Sequence, residues 1–375
     1  MLIVVPAETQ KGEARVAATP ETVKKLVARG FEVRVQAGAG AGALIADADY
    51  EAAGASLAAR ARDVWKDAQV ALKVHAPDAK ELKLAPKGAV VVGLFSPFSN
   101  PLLADYAAHG LACFALELIP RISRAQSMDV LSSQANIAGY KAVLVAAEHY
   151  RRFFPMLMTA AGTVQPAKVL VMGAGVAGLQ AIATARRLGA MVEAFDVRAA
   201  TREQVESLGA KFIQLEGVDA EDERGYAREL TDEEKARLDA LVAERAAQAD
   251  IIITTAQIPG RPAPELVKPE TVERMRPGSV IVDLAAASGG NCKLTRAGEV
   301  VEHHGVVIAG PENLPARMAA DASQLYARNL YNFLELMMTE DGGLDAAAED
   351  EILEAALLCR DGEMLKPRFL EGGKA

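Results

Sequence analysis

One stretch, Lys168 to Arg198, constrains this chain more than any other: KVLVMGAGVAGLQAIATARRLGAMVEAFDVR. Its opening apolar run, Val169 to Met172, suits a buried parallel strand. Gly173, Gly175 and Gly178 follow at G-x-G-x-x-G spacing, then a helical pattern to Leu188, with Gly189 placed for a left-handed C′ turn. A second apolar run, Val192 to Phe195, ends on Asp196, 18 residues past Gly178. Gly173 permits the tight turn, Gly175 lets backbone approach a pyrophosphate, and Gly178 lets helix pack closely on strand. The helix N-terminus then offers free N–H groups and a positive dipole end to phosphate, starting at Val176. Glycine triplets also occur in tight turns that bind nothing. Here strand, helix, second strand and acid are all in register, and the stretch reads as a dinucleotide site.

A length of 375 residues exceeds what one core normally serves, so two domains are expected. A hydrophobic share of 51% and a charged share of 24% describe an ordinary globular chain. The net charge of −9 argues against a nucleic-acid surface, and no basic tract accompanies it. Cys113, Cys292 and Cys359 are far apart in sequence and odd in number, forming neither a disulfide framework nor a zinc pattern. The opening MLIVVPAETQKGEAR lacks a basic segment before its apolar run, so it does not read as a signal peptide. Nowhere are there about 18 consecutive apolar residues, so no segment is expected to enter a membrane.

Strand-like runs at Leu2–Val5, Phe31–Val35, Val70–Val74, Ala89–Leu94 and Leu111–Leu116 alternate with helical patterns. Pro20–Ala28, with Thr19 as N-cap, and Pro101–Ala108 are the clearest of these. The alternation predicts a parallel α/β sheet without a glycine fingerprint at its first turn. Arg121–Tyr150 is polar at its front and becomes a long buried helix that ties two domains together. Six further runs follow: Val169–Met172, Val192–Val197, Phe212–Leu215, Ile251–Ala256, Val280–Leu284 and Val306–Ala309. This is the strand count of a full dinucleotide-binding sheet. The acidic insertion Glu216–Glu229 carries one large ring, Tyr226, and reads as a lid. Helices are expected over Met318–Met338 and Glu349–Leu358, and both are assigned to the first domain. The expectation is therefore an α/β protein of two Rossmann-like, doubly wound parallel-sheet domains around a cleft. The first spans 1–130 plus 315–375, the connector 131–165, and the dinucleotide-binding domain 166–314.

Missing groups narrow the chemistry. None of His75, His109, His149, His303 and His304 has metal-ligand spacing, and adjacent His303 and His304 should not face one side of a strand. No metal site is expected. No Gly-x-Ser-x-Gly or Gly-x-x-x-x-Gly-Lys-[ST] motif occurs. A dehydrogenase acting on an alcohol or amine needs a general base. A hydride passed between two nicotinamides needs only rings held at near-attack distance.

The segments RISRAQSMDVLSSQANIAGY, GAGVAGLQAIATARRLGAMVEAFDVR and VDLAAASGGNC resemble the NAD(H)-binding soluble component of proton-translocating transhydrogenases. The resemblance covers nearly the whole chain. It implies that Arg121, Gln126, Asp129 and Ser132 carry the nicotinamide chemistry, with Ser127 and Met128 lining the same loop. In that arrangement Arg121 and Asp129 flank Gln126 as an opposite-charge pair, and Ser132 can bond the ring carboxamide. Gly173, Gly175, Val176 and Gly178 would hold the pyrophosphate, Asp196, Val197 and Arg198 the adenosine ribose, and Gly225 and Tyr226 would come from a mobile loop. It further implies a homodimer, an NADP(H)-binding beta subunit and a membrane-spanning alpha-2 subunit as partners, and a cytoplasmic place peripheral to the inner membrane.

The rival is the related alanine dehydrogenase. There an Arg and a Lys hold the substrate carboxylate, while a His and an Asp do the acid–base work. Arg15 and Lys73 match the first pair. No histidine lies between Ala76 and Ala108, and Ala287 stands where the Asp is expected. Arg15 and Lys73 are therefore read as retained architecture.

Overall fold

The computed structural model describes residues 1–213, 231–339 and 342–370. Along the chain, β1 (Leu2–Val5), β2 (Glu32–Gln36), β3 (Ser56–Ala58), β4 (Val70–His75), β5 (Val90–Leu94) and β6 (Ala112–Ala115) come first. A hairpin follows, β7 (Leu157–Thr159) with β8 (Gly162–Val164). Then come β9 (Lys168–Met172), β10 (Met191–Phe195), β11 (Lys211–Ile213), β12 (Ile251–Thr254), β13 (Val280–Asp283), β14 (Val300–His303) and β15 (Val306–Ala309). Two short strands, β16 (Leu357–Arg360) and β17 (Glu363–Met364), close the chain. Two compact units result, residues 1–134 with 315–375 and residues 135–314, so the division falls inside the helix Val130–His149.

The first unit holds a sheet of order β17-β16-β6-β5-β4-β1-β2-β3. Its strands β1 to β6 are parallel and follow the doubly wound order 3-2-1-4-5-6, while β16 and β17 are added antiparallel. Both faces are buried, as a parallel sheet requires. Ile3, Val5, Val33 and Leu72 pack with Tyr326, Leu330, Phe333 and Leu334 of the helix Ala319–Glu335, and Val4, Ala71 and Val91 pack with Trp65, Leu103 and Tyr106. The second unit has the order β11-β10-β9-β12-β13-β15-β14. Without β14, which pairs antiparallel with β15, this is again 3-2-1-4-5-6. Val169 and Val171 face the helices Val130–His149 and Val176–Arg187, and Leu170 and Met172 face Val242 and Ala246.

Several elements depart from the sequence reading. The helix expected over Glu349–Leu358 ends at Ala356, and Leu357–Arg360 is the strand β16 beside β6. No Gly or Pro marks that break; pairing with the open edge of β6 overrides the helical pattern. It also brings Cys113 and Cys359 opposite each other as free, buried thiols. Thr19 does stand at the N-cap of Pro20–Ala28, but its hydroxyl has no partner; the Thr19 N–H donates to Thr22 Oγ1 at 3.0 Å. The strands β3, β7, β8 and β14 escape the sequence pattern, being short or, in β7, largely exposed. His303 and His304 do turn to one side. His304 lies beyond the end of β14 at φ +50°, and both rings reach Glu273.

The helix Val130–His149 owes its place to a missing side chain. A Cβ on Gly139 would lie 2.1 Å from the carbonyl oxygen of Ala177 and 2.8 Å from its carbon. Gly139→Ala would gain about 1 kcal/mol of helix propensity. Backbone atoms cannot yield as side chains do, so overpacking of roughly 1–3 kcal/mol or more prevails. A lower urea midpoint than the parent is the expected result, and an unchanged or higher one would show that this approach is not tight.

Candidate nucleotide-binding site

In the second unit, β9 runs into a turn at Gly173, whose φ of +101° lies in the left-handed region where glycine is favoured. A Cβ on Gly173 would meet Thr255 Oγ1 at 2.5 Å, and one on Gly178 would meet the Gly173 carbonyl oxygen at 1.8 Å. Thr255 reinforces this packing by donating its hydroxyl to the same carbonyl at 3.0 Å. Gly175 is different: a Cβ there would find nothing within 4 Å. Two glycines are thus required by protein packing, whereas the third faces open space. Beside it the helix begins at Val176, which is 37% exposed, and its first-turn N–H groups have no intrahelical acceptor. A pyrophosphate fits this cradle, because bare backbone and a positive helix end meet at the side that Gly175 leaves clear.

Asp196 follows β10 and is held over the same turn. Its Oδ2 accepts from the Ala174 N–H at 2.7 Å and from Arg198 Nη2 at 3.1 Å. Its Oδ1 accepts from the Arg198 N–H at 2.9 Å and from Arg198 Nε at 3.0 Å. The carboxylate side chain is 6% exposed and the guanidinium side chain 38%. The acid therefore stands beside the glycine turn with its acceptor sites filled, and the guanidinium is the more exposed of the two partners. Val197, between them, is 37% exposed. Gly225 and Tyr226, with the lid reading for Glu216–Glu229, lie outside the described residues.

The loop after β13 completes the surroundings of the turn. Buried Asp283 accepts from Thr254 Oγ1, the Ala285 N–H, the Cys292 N–H and Thr295 Oγ1 at 2.7–3.0 Å. Asn291 Oδ1 accepts from the Ala256 N–H, and its Nδ2 donates to the carbonyls of Ala256 and Pro264. The loops after β12 and β13 are thereby fixed to each other. Sequence reading passes over both residues, although two polar groups at the end of an apolar strand and in a Gly-Gly-Asn run are the available sign.

In the first unit, residues 123–128 form a 3-10 turn leading into the helix Val130–His149. Arg121, Gln126 and Ser127 are exposed and Met128 is buried. Asp129 does not pair with Arg121. It caps the helix instead, accepting from the Ser132 N–H at 2.9 Å and the Ser132 hydroxyl at 2.6 Å. The Ser127 carbonyl accepts from Asn329 Nδ2 at 2.8 Å and Asn332 Nδ2 at 3.0 Å, so the helix Ala319–Glu335 anchors this loop. These two asparagines do not stand out in sequence, where they look like the polar side of an amphipathic helix.

The switch point of the first sheet, beyond β1 and β4, holds buried ions rather than a glycine turn. Arg15 donates from Nε and Nη2 to Glu13 at 2.8 and 2.6 Å, and from Nη1 to Gln134 Oε1 at 2.9 Å. Lys73 Nζ donates to Glu81 Oε1 at 2.8 Å and lies 3.5 Å from Glu8 Oε2. Burial pushes the Glu81 carboxyl up more than Lys73 pulls it down. The half-buried Glu117 is pushed up by desolvation as well; its Oε1 accepts from the Ser96 N–H while its buried Oε2 has no partner. Both cations thus have carboxylates of their own, and Ala287 presents an exposed methyl on the turn after β13.

Gly178→Ala should therefore prevent stable folding or cost well over the roughly 1–3 kcal/mol of ordinary overpacking. Gly175→Ala should leave the urea midpoint nearly unchanged and weaken dinucleotide binding by an order of magnitude or more. Denaturation and fluorescence titration of both variants make the check, and equal loss of stability would remove the distinction.

The chain matches the family described as alanine dehydrogenase/PNT in both of its domains, the N-terminal domain over residues 4–138 and the C-terminal domain over residues 142–367. It is 50% identical over 383 aligned positions to the first part of NAD(P) transhydrogenase subunit alpha of Rhodospirillum rubrum, covering 100% of each chain. A crystal structure of transhydrogenase from Sinorhizobium meliloti superposes with a TM-score of 0.90 at 51% identity, over 97% of this chain and 100% of that one. Alanine dehydrogenase of Mycolicibacterium smegmatis is 31% identical, over 97% of this chain and 95% of its own. With a glycine turn cleared for phosphate on one doubly wound sheet and full-length similarity to these proteins, the chain belongs to the alanine dehydrogenase/PNT family of nucleotide-dependent oxidoreductases, and its nearer likeness within it is to transhydrogenase subunit alpha.

Proposed function

We propose that this chain is the NAD(H)-binding component of a proton-translocating transhydrogenase, passing a hydride directly from NADH to NADP⁺ held by a partner beta subunit. The carrying observation is its 50% identity, end to end, to a transhydrogenase alpha-subunit chain, against 31% to an alanine dehydrogenase. Bound NADH supplies the hydride, and the chain's residues need only bind, orient and shield, since no proton changes hands in the transfer. Gly173, Gly175, Val176 and Gly178 seat the pyrophosphate. Asp196, Val197 and Arg198 take the adenosine ribose once the guanidinium swings off the carboxylate. Arg121, Gln126, Ser127, Met128, Asp129 and Ser132 attend the nicotinamide, where a positional error of about 1 Å can cost roughly a hundredfold in rate. Gly225 and Tyr226 are assigned to a covering loop.

No helix among the described residues is long and apolar enough to cross a membrane, so the proton path is assigned to membrane-spanning partners, with this chain peripheral to the inner membrane on its cytoplasmic side. A homodimer is the proposed state. Its support is the apolar surface of the β7–β8 region, where Phe153 and Met156 are 54% exposed and Met158 73%.

The Asp196 charge disfavours a 2′-phosphate, and Arg198 offsets it in part. NADH should bind more tightly than NADPH, and Arg198→Ala should widen that preference by roughly ten- to a hundredfold, the worth of one charge-assisted hydrogen bond of roughly 1.5–3 kcal/mol. Fluorescence titration decides, and equal affinity of the parent for both nucleotides would overturn the assignment of Asp196.

Autonomy is the second expectation. Alone, the chain should bind NADH yet form almost no alanine from pyruvate and ammonium. Mixed with an NADP(H)-binding partner subunit it should reduce NADP⁺ with NADH. Robust alanine formation by the pure chain would transfer the reading to the dehydrogenase branch.

A further inference from the structure

The hairpin tip that carries His303 and His304 lies apart from the glycine turn. It sits at the ends where β13 and β15 begin, whereas the glycine turn follows the end of β9 in the same parallel run of strands. Three ligand-type groups converge there. His303 Nε2 is 3.4 Å from Glu273 Oε1, and His304 Nε2 is 3.9 Å from the same oxygen. One ligand atom from each of the three residues can be chosen so that all lie within 4.8 Å of one another. A tetrahedral ion with bonds of about 2.0–2.2 Å to nitrogen and oxygen would want ligand atoms about 3.3–3.5 Å apart. Small side-chain rotations close the difference.

The turn chemistry argues that the arrangement is not incidental. His303 pairs with Val306 across the hairpin, so only His304 and Gly305 form the loop, at φ +50° and +76°. Positive φ at both central residues is the pattern that favours Asn-Gly. A histidine there carries a conformational cost, and what it brings is a second imidazole, its ring 4.6 Å from the first.

The support beneath is rigid. The Gly278 N–H donates to the Gly305 carbonyl at 2.6 Å, and a Cβ on Gly305 would meet Pro277 at 3.0 Å. This backbone contact ties the tip to the segment that leaves the short helix Pro269–Glu273, so Glu273 is held opposite the histidines before any ion arrives. Side-chain exposures of 34% for His303, 58% for His304 and 44% for Glu273 leave the cluster open to solvent for entry and for a fourth ligand. As a plain ion pair on the surface, the same contacts would contribute little.

We infer that Glu273, His303 and His304 form a binding site for one divalent first-row ion of the zinc or nickel class, which staples the β14–β15 turn to the end of the Pro269–Glu273 helix. Two imidazoles and one carboxylate suit such ions better than magnesium or calcium, which favour all-oxygen sets.

The test is calorimetric titration of the metal-stripped full chain with zinc chloride, and separately with nickel chloride, in a non-coordinating buffer. One saturable site per chain is expected, with a thermal midpoint that rises as it fills. His303→Ala and Glu273→Gln should each weaken binding by more than the roughly 10–100-fold that changes outside the ligand shell already cost. His304→Asn should do the same while keeping a residue suited to the turn, so a misfolded variant cannot mimic the result. Absence of a saturable site in the parent, or equal binding by parent and His304→Asn, would overturn the inference.

Discussion

The carbonyl oxygen of Gly173 and the α-carbon of Gly178 approach so closely that no side chain fits between them. That approach seats the helix Val176–Arg187 against the end of β9, and the helix Val130–His149 closes on its first turn from another side at Gly139 and Ala177. Pinned by two backbone contacts, the helix start has little freedom to drift. The open side of Gly175, the N–H groups beyond it and the acid that bonds Ala174 all take their positions from this junction.

Both units are wound in the same strand order, yet they fill their switch points differently. The second leaves a bare turn with a carboxylate beside it. The first packs Arg15 and Lys73 among Glu8, Glu13 and Glu81, and runs hydrogen bonds from Arg15 through Gln134 to the Ala322 carbonyl. A buried ion that keeps a carboxylate of its own is costly to uncover. Arg15 and Lys73 thus serve this part of the first unit as buried ion pairs, and the chemistry proposed for the chain needs neither group.

Legibility in sequence follows the range of the forces involved. The parallel strands β1, β4, β9, β12 and β13 are visible because a strand buried on both faces must be a continuous apolar run. The glycine turn is visible because its spacing is dictated locally. β16 is not, because the edge of β6 that recruits it lies more than 200 residues earlier. Sequence alone pairs Asp129 with Arg121, whereas the helix that starts at Val130 makes capping through Ser132 the nearer bond. The sequence places Arg198 two residues past Asp196, but its bidentate grip on that carboxylate depends on a backbone bend that spacing does not report.

The first sheet is finished by β16 and β17, which come from the far end of the chain, while every strand of the second unit lies within one unbroken stretch. During synthesis the middle of the chain therefore has all its partners as soon as residue 314 has emerged. Residues 1–134 must wait, with the edge of β6 and the apolar bed of the Ala319–Glu335 helix uncovered, until the residues after 314 arrive. The unit that starts earlier in the chain is thus completed later than the one that follows it, and its uncovered sheet edge marks the stage at which a nascent chain most needs protection from other chains.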